Sequence, residues 1–211
     1  MSPVVFDANC RRCDRLACFL DELKAQHPDY FCRPVPPFGA EDARLLIVGL
    51  APGMHGANAT GRPFTGDFAG ILLYETLYRY GFASAPQSLS ATDGLRLLDC
   101  RITNAVKCLP PQNKPVGGEI KACRDFLSAE LNGFRGGGVV VALGSIAHRS
   151  VVAGFGLAQK DFRFAHAAEH ALPRDITLID SYHCSRYNTQ TKRLTAEMFA
   201  QVFQRAREIL G

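Results

Sequence analysis

Residues 49–70 read GLAPGMHGANATGRPFTGDFAG and join two stretches of regular pattern. The preceding residues, 45–48, are a short apolar run typical of a buried strand, and the apolar positions over 71–78 recur with a helical period. The stretch is therefore predicted to be a loop from a strand to a helix. Its glycines let the backbone approach a ligand closely, while Pro52 and Pro63 stiffen it. Long loops in compact domains are usually functional, so we expect a ligand site here rather than a glycine-rich surface loop.

Strands alternate with helices along the rest of the chain. Apolar runs without period-two alternation cover 44–48, 100–106, 139–143 and 176–180. Such runs are typical of parallel strands that are buried on both faces. The pattern predicts an α/β fold, a three-layer αβα sandwich with a central, four-stranded, mostly parallel sheet. Since no repeat, low-complexity tract or linker divides the sequence, residues 1–211 are predicted to form one domain.

Helical patterns lie between these runs. Helices are expected near 16–23, from Ile71 to about Tyr80, and after the cap-like pair Thr92-Asp93. Three more are expected over 119–131, 146–152 and 195–210. The unusual motifs all follow predicted strands. The carboxyl ends of parallel strands share one edge of a sheet, which is where ligands bind. We therefore expect these motifs to converge on one crevice.

Composition excludes some classes and leaves others open. The chain carries a net charge of +4 and is 47% hydrophobic, which suits a globular domain and permits nucleic-acid binding without requiring it. No apolar run approaches the roughly 20 residues of a membrane helix, and residues 1–30 lack the apolar core of a signal peptide. We expect a cytoplasmic protein. Basic residues cluster within 186–193 and 107–121, as on nucleic-acid-binding surfaces or on solvated ones.

Eight cysteines are many for a cytosolic chain, so metal or redox chemistry is expected. The most economical four-ligand set is Cys10-x2-Cys13 with Cys108-x14-Cys123. Spacing alone leaves zinc and an iron–sulfur centre open. Cys18 and Cys32 are treated as structural, and Cys100 is expected to be a small buried residue within a strand. Cys184 is not expected to form a nucleophile pair with His183, because adjacent side chains of an extended segment point apart.

Several motifs together resemble one enzyme family. The first motif of the family 5 uracil-DNA glycosylases, the UDGb type, is matched by Gly49-Leu-Ala-Pro, His55-Gly56, Asn58, Thr60-Gly61-Arg62 and Phe64-Thr65-Gly66-Asp67. The block 102–111 resembles the family's second motif. His183-Cys184-Ser185 resembles the third, usually His-Pro-Ser, with Cys184 in place of the proline. Leu50 stands where the related family 4 has an acidic residue. The resemblance extends from Cys10 to Thr195.

The resemblance implies a function and a cofactor. It implies the uracil-DNA glycosylase fold and a monofunctional enzyme of base-excision repair, which hydrolyses the N-glycosidic bond of uracil in DNA and leaves an abasic site. Other deaminated bases, such as hypoxanthine and xanthine, are further expected substrates. It also implies a [4Fe-4S] cluster on Cys10, Cys13, Cys108 and Cys123.

The chemistry of base excision assigns expected roles. The flipped base needs a stacking face and an edge reader, the leaving base anion needs a hydrogen-bond donor, and the cationic sugar needs negative charge and a water. Phe64, Asn104 and His183 are expected in the first three roles. Each has a simpler alternative, as a core phenylalanine, a turn former or a loop histidine.

The fourth role falls to Asp67, with Asn58 as the other candidate for the water. Asp67 is also well placed as a helix N-cap. Ala51 and Gly53 are expected to contact the substrate. The segment Ser185, Arg186, Tyr187 and Asn188 is expected to bind DNA, with Tyr187 as a wedge.

The expected partner is single- or double-stranded DNA with uracil or another deaminated base. No membrane contact is expected, and the protein is expected to be a nucleoid-associated monomer. A family 4-like, uracil-only glycosylase is one alternative. A non-catalytic iron–sulfur redox or DNA-binding protein is the other.

Overall fold

A computed structural model describes residues 5–211. Its helices are α1 (Asp14–Gln26), α2 (Ala57–Thr60), α3 (Phe68–Arg79), α4 (Gly117–Gly133), α5 (Ser145–Gly154), α6 (Arg186–Gln190) and α7 (Ala196–Leu210). Its strands are β1 (Phe38–Gly39), β2 (Leu45–Gly49), β3 (Cys100–Asn104), β4 (Val139–Leu143), β5 (Glu169–Leu172) and β6 (Ile176–Ser181). Within the described residues, no helix is both long and apolar enough to span a membrane.

The strands form one mixed sheet in the order β1-β3-β2-β4-β6-β5. The four central strands are parallel, which confirms the predicted parallel core. The two edge strands, β1 and β5, run antiparallel to their neighbours and were not predicted. Both are short, and β5 has the sequence Glu-His-Ala-Leu, which carries none of the β-branched residues that mark a strand.

Helices cover both faces of the sheet, as a three-layer sandwich requires. Successive side chains of a strand point to opposite faces, so Leu45 and Ile47 of β2 join the core beneath α3 and α7. Leu46 and Val48 join a second core beneath α4 and α5. The fully buried strand pattern of β2 therefore follows from apolar layers on both sides.

The helix predicted after Thr92-Asp93 is wrong. Residues 84–99 form a loop, crossed by an isolated bridge between Ala83 and Leu97. The Asp93 carboxylate accepts hydrogen bonds from the backbone N–H groups of Leu89 (2.8 Å), Ser90 (3.2 Å) and Leu95 (3.0 Å). The carboxylate therefore accepts hydrogen bonds from N–H groups of its own loop and caps no helix.

Helix α1 packs beside α4 through ion pairs that are distant in sequence. The Arg15 guanidinium donates to both carboxylate oxygens of Glu119, at 2.7 and 2.8 Å. Arg12 Nη1 lies 3.0 Å from Asp125 Oδ2. These contacts hold the amino-terminal segment against the region that follows β3.

Candidate active site

A cavity of about 430 Å³ lies where β2, β3 and β6 end. Three loops contribute the predicted residues Ala51, Gly53, Phe64, Asp67, Asn104, His183, Ser185 and Arg186 to its lining. Sequence reasoning missed the other lining residues, Leu50, Ala57, Phe68, Ala69 and Asn113. The predicted convergence of the three loops on one crevice is thus seen in the structure.

Phe64 forms one wall of this cavity in an unusual backbone conformation. Its φ angle is +53°, a left-handed value that is uncommon for a residue with a side chain. The preceding carbonyl, that of Pro63, accepts a 2.8 Å hydrogen bond from the Tyr74 hydroxyl. The Phe64 ring is stacked near His183, with centroids 6.0 Å apart and planes at 29°. Phe64 also belongs to the main hydrophobic core, so the same ring packs in the core and lines the cavity.

Gly49, the last residue of β2, allows Asn104 and Phe64 to meet. A Cβ atom at position 49 would lie 2.8 Å from Phe64 Cζ and would also clash with Asn104 Oδ1. Asn104 is 4% exposed, and its Oδ1 has no hydrogen-bond partner within residues 5–211. The amide therefore reaches the cavity with an acceptor that the folded chain leaves free.

His183 enters the cavity from the loop after β6. Its Nδ1 is buried and makes no hydrogen bond to the described part of the chain. Burial lowers the pKa of His183 to about 4, so the imidazole is neutral at physiological pH. The loop is fixed from behind by Asn188, whose Nδ2 donates to the His183 carbonyl at 2.8 Å.

Asp67 both caps a helix and lines the cavity. Its Oδ1 accepts a 2.9 Å hydrogen bond from the Gly70 N–H at the start of α3. A Cβ atom at position 53 would lie 3.2 Å from Asp67 Oδ2, and one at position 56 would overlap the carboxylate. Burial raises the pKa of Asp67, and the N–H groups of Gly70 and Ala69 partly offset this. The Asp67 side chain is therefore both the N-cap of α3 and part of the cavity wall.

Three other predicted residues lie outside the cavity lining. Asn58 is fully buried and does not line the cavity; its Nδ2 lies 3.5 Å from Cys32 Sγ, and its Oδ1 has no partner within the described residues. Its expected role toward the water stays a prediction. Tyr187 is 70% exposed, and Asn188 is turned toward the His183 carbonyl. The Arg186 guanidinium lies 5.0 Å from the centroid of Phe68, at the cavity mouth.

Arg62 supports the same loop, a feature that sequence reasoning missed. Its buried guanidinium donates to Asp93 Oδ1 at 2.7 Å and to the Ala91 carbonyl at 2.6 Å, and it lies 4.4 Å from the centroid of Phe38. Although burial acts to raise it, the pKa of Asp93 is held well below its usual value by hydrogen bonds from Arg62 and backbone N–H groups. The ion pair ties the turn before Phe64 to the 84–99 loop.

A second, smaller cavity of about 20 Å³ contains the predicted cysteine set. Cys10, Cys13, Cys108 and Cys123 all line it. Cys123 Sγ accepts a 3.3 Å hydrogen bond from the backbone N–H of Lys107. Burial raises the pKa of Cys108 to about 12 and also raises that of Cys123. Thiolates at this position therefore need a bound cation to stabilise them.

The remaining cysteines show no such convergence. Cys100 and Cys184 are buried, and Cys32 is buried beside Asn58, whereas Cys18 is exposed. Burial raises the pKa of Cys184 strongly, so this thiol stays protonated next to His183.

The fold and the cavity together define a class of site. An aromatic face, an unpaired amide and a neutral imidazole surround a small cavity at the carboxyl edge of a parallel sheet, which suits a flat heterocycle such as a nucleobase. The family model described as the uracil DNA glycosylase superfamily matches residues 36–207. The chain therefore belongs to the uracil-DNA glycosylase superfamily.

Relatives of known type place the chain more closely. It is 45% identical to a type-5 uracil-DNA glycosylase of Thermus thermophilus, over 96% of this chain and 94% of the relative. It is 40% identical to a type-5 uracil-DNA glycosylase of Pyrobaculum aerophilum, over 94% of this chain and 88% of the relative. Its similarity to a type-4 uracil-DNA glycosylase of Archaeoglobus fulgidus is more limited, at 36% identity over 66% of this chain and 56% of the relative. The expected resemblance to family 5 is thus confirmed.

Proposed function

We propose that this protein is a monofunctional DNA glycosylase of base-excision repair, which hydrolyses the N-glycosidic bond of uracil in DNA and leaves an abasic site. One observation carries the proposal: Phe64, Asn104, Asp67 and His183, which lie at or after the carboxyl ends of three different strands, line the same cavity. Each supplies a different requirement of base excision. The similarity to type-5 glycosylases over nearly the whole chain supports the same activity.

The flipped base is held by its face and its edge. Phe64 offers the stacking face, and stacking on an aromatic ring is worth about 1–3 kcal/mol per base. Asn104 carries a donor and an acceptor on one amide, which match O4 and N3 of uracil. Its unpaired Oδ1 is the acceptor that the N3–H group of the base would satisfy. Ala51 and Gly53 complete the cavity wall, where small residues leave space for the ring.

His183 acts on the leaving group. As a neutral imidazole it donates an N–H hydrogen bond to the uracil oxygen on which negative charge develops when the glycosidic bond breaks. Burial favours this neutral form. The stacking of His183 near Phe64 keeps the donor beside the plane of the bound base.

Asp67 acts on the sugar side of the bond. Its carboxylate faces the positive charge that develops on the sugar and orients the attacking water. The Gly70 N–H engages Oδ1, and Oδ2 lies toward Gly53 of the cavity wall. The helix cap thus fixes the carboxylate in one orientation.

The exposed segment after His183 contacts the DNA strand. Arg186 at the cavity mouth and Ser185 suit phosphate contacts, and the exposed ring of Tyr187 suits a wedge that fills the vacated stack. Asn188 holds the His183 loop while the strand is engaged.

The protein acts as a monomer on single- or double-stranded DNA. Because its substrate is chromosomal DNA, it works with the nucleoid in the cytoplasm.

The four cysteines of the small cavity hold a [4Fe-4S] cluster. The donor set fits, because Cys10, Cys13, Cys108 and Cys123 line one small cavity and an N–H group already donates to a sulfur. The cluster supplies a structural link between the amino-terminal segment and the region after β3. Anaerobic protein should contain iron and sulfide. Cys108→Ser should lose both, whereas the control Cys18→Ser, at an exposed position, should keep them. Zinc without iron would overturn the assignment.

A glycosylase assay tests the function. Oligonucleotides with uracil, hypoxanthine or xanthine are incubated with cluster-containing protein and then treated with alkali, which cleaves abasic sites. Uracil should be released, and release of the other two would extend the substrate range. Activity on uracil alone would favour the family 4-like alternative, which Leu50 disfavours. DNA binding without release of any base would favour the non-catalytic alternative.

A further inference from the structure

A third polar cluster lies outside both cavities. It consists of His148 on α5, His170 on β5 and Asp180 on β6. One ligand atom from each residue lies within 4.8 Å of the other two. The side chains of His148 and Asp180 are 1% and 0% exposed, and that of His170 is 14% exposed. The proposed glycosylase chemistry uses none of the three.

The hydrogen bonds of His148 require a proton or a metal ion between Nδ1 and Asp180. Nε2 lies 3.1 Å from the carbonyl oxygen of Phe162, which can only accept, so Nε2 carries a proton. Nδ1 lies 2.7 Å from Asp180 Oδ1, and an ionised carboxylate also only accepts. In a neutral imidazole, Nδ1 would present a lone pair to that oxygen. A proton, carried by Nδ1 or by the carboxyl group of Asp180, or a metal ion therefore lies between these two atoms.

The surroundings match those of a bound transition metal. A histidine that ligates a metal usually donates its other ring N–H to a carbonyl or carboxylate, as Nε2 of His148 does to Phe162. Two histidines and one carboxylate are also a common donor set for zinc. The Phe162 and Phe164 rings shield the cluster, and the partly exposed His170 leaves a path for entry.

The ligand atoms are close enough to share one ion after local rearrangement. His148 Nδ1 lies 2.7 Å from Asp180 Oδ1, and His170 Nε2 lies 3.1 Å from Asp180 Oδ2. All three ligand atoms lie within 4.8 Å of one another. Two ligands at roughly 2.0–2.1 Å from a tetrahedral zinc lie about 3.3 Å apart, so the histidines would have to shift around the Asp180 carboxylate.

We propose that His148, His170 and Asp180 bind one divalent transition-metal cation of the zinc type. Binding exchanges the proton between His148 Nδ1 and Asp180, which leaves to solvent, for the metal. On His170 the proton moves from Nε2 to Nδ1, so that one proton is released for each metal bound. The metal joins α5 and β5 to β6, three residues before His183. Its role is structural, and the proposal is independent of the glycosylase activity.

Zinc binding tests the proposal on protein with its cysteine centre loaded. The protein is treated with a chelator, freed of it by gel filtration, and equilibrated with Zn²⁺ by dialysis. We expect one zinc per chain and a higher melting temperature. His170→Asn should weaken binding at least tenfold, since the loss of a ligand costs no less than the loss of an outer partner. His166→Asn is the matched control, because His166 lies in the same region but accepts from the Tyr182 N–H instead.

Co²⁺ provides a second measurement that does not depend on any variant. Absorption from a cobalt centre with nitrogen and oxygen ligands, between about 500 and 650 nm in the difference spectrum, supports the site. Thiolate-to-cobalt bands in the near ultraviolet would assign the metal to cysteines and overturn it. The proposal is also overturned if the wild type binds no zinc, or if His170→Asn binds as much as wild type. Because no readout uses base excision, failure here leaves the proposed glycosylase function standing.

Discussion

Two groups of buried polar side chains lie near the end of β6, and they differ in how they are paired. Both oxygens of Asp180 are engaged by histidines, at 2.7 and 3.1 Å. Three residues later, Nδ1 of His183 is buried with no partner in the described chain, as is Oδ1 of Asn104 across the cavity. The paired group joins secondary-structure elements, whereas the unpaired group surrounds an open space.

The difference has an energetic basis. An unsatisfied buried polar group costs about 1–3 kcal/mol, and native proteins retain few of them. The atoms without a partner at the cavity, Nδ1 of His183 and Oδ1 of Asn104, are therefore positions where a water or a ligand would form a hydrogen bond.

The largest expected effect is that of Asp67→Asn on excision. An amide can still cap α3 but carries no charge, so single-turnover excision of uracil should fall by roughly 10²–10⁴-fold. Stability should be unchanged or slightly higher, because burial disfavours the charged carboxylate. Quenched-flow assays and chemical denaturation provide the two measurements. Full activity in this variant would leave Asp67 with the capping role alone.

His183→Ala should have the next largest effect. Loss of one transition-state donor reduces the rate by roughly 10²–10³-fold, while DNA affinity should change little. His170→Asn, from the paired group, is the control and should retain excision within a few-fold. The contrast between the two groups fails if both variants lose activity equally, or if His183→Ala weakens binding without slowing the single-turnover rate.

Asp93→Asn tests the ion pair that supports Phe64. Loss of a hydrogen bond to a charged group should lower the free energy of unfolding by about 1.5–3 kcal/mol, because the guanidinium of Arg62 remains buried. Asp21→Asn is the matched control: its pair with Arg11 has both side chains 61% exposed, so solvent screens it and its loss should change stability little. Urea denaturation measures both. If both variants lost the same free energy of unfolding, the buried Arg62–Asp93 pair would not stabilise the loop more than an exposed pair does.

The smallest effect concerns the pH dependence of stability. The pKa of His183 is lowered to about 4 in the folded protein, so below pH 6.5 the unfolded chain binds a proton that the folded chain does not. Stability should therefore fall as the pH drops from about 6.5 toward 4. In His183→Asn this slope should be shallower by up to about 1.4 kcal/mol per pH unit. Urea denaturation at pH 7, 6 and 5 measures it, and parallel curves for the two proteins would contradict the neutral imidazole.

The sequence predicted the parallel core and the cavity for the same reason. Apolar runs marked β2, β3, β4 and β6, and the residues that follow parallel strands must share one edge. That rule of strand order is enough to bring Phe64, Asn104 and His183 together. The direction of a side chain within a loop does not follow from that rule: Asn58, a candidate for orienting the water, has its Nδ2 against Cys32.

Features that depend on tertiary contacts were not predictable from the sequence. The cluster residues His148 and Asp180 are 32 positions apart, and no local pattern links them. The 84–99 loop looked like the start of a helix because Asp93 is a good cap. Its carboxylate is instead engaged by Arg62, 31 residues earlier in the chain. Local propensity was overridden by a distant partner.

The packing of α1 against α4 sets an order of events during synthesis. Arg15 pairs with Glu119, which is 104 residues further along the chain. At about 5–20 residues per second, a ribosome needs roughly 5–20 s to add the intervening segment. During that interval Cys10 and Cys13 have been added to the chain but Cys123 has not. Any centre that these cysteines share can therefore form only after β1, β2 and β3 have been synthesised.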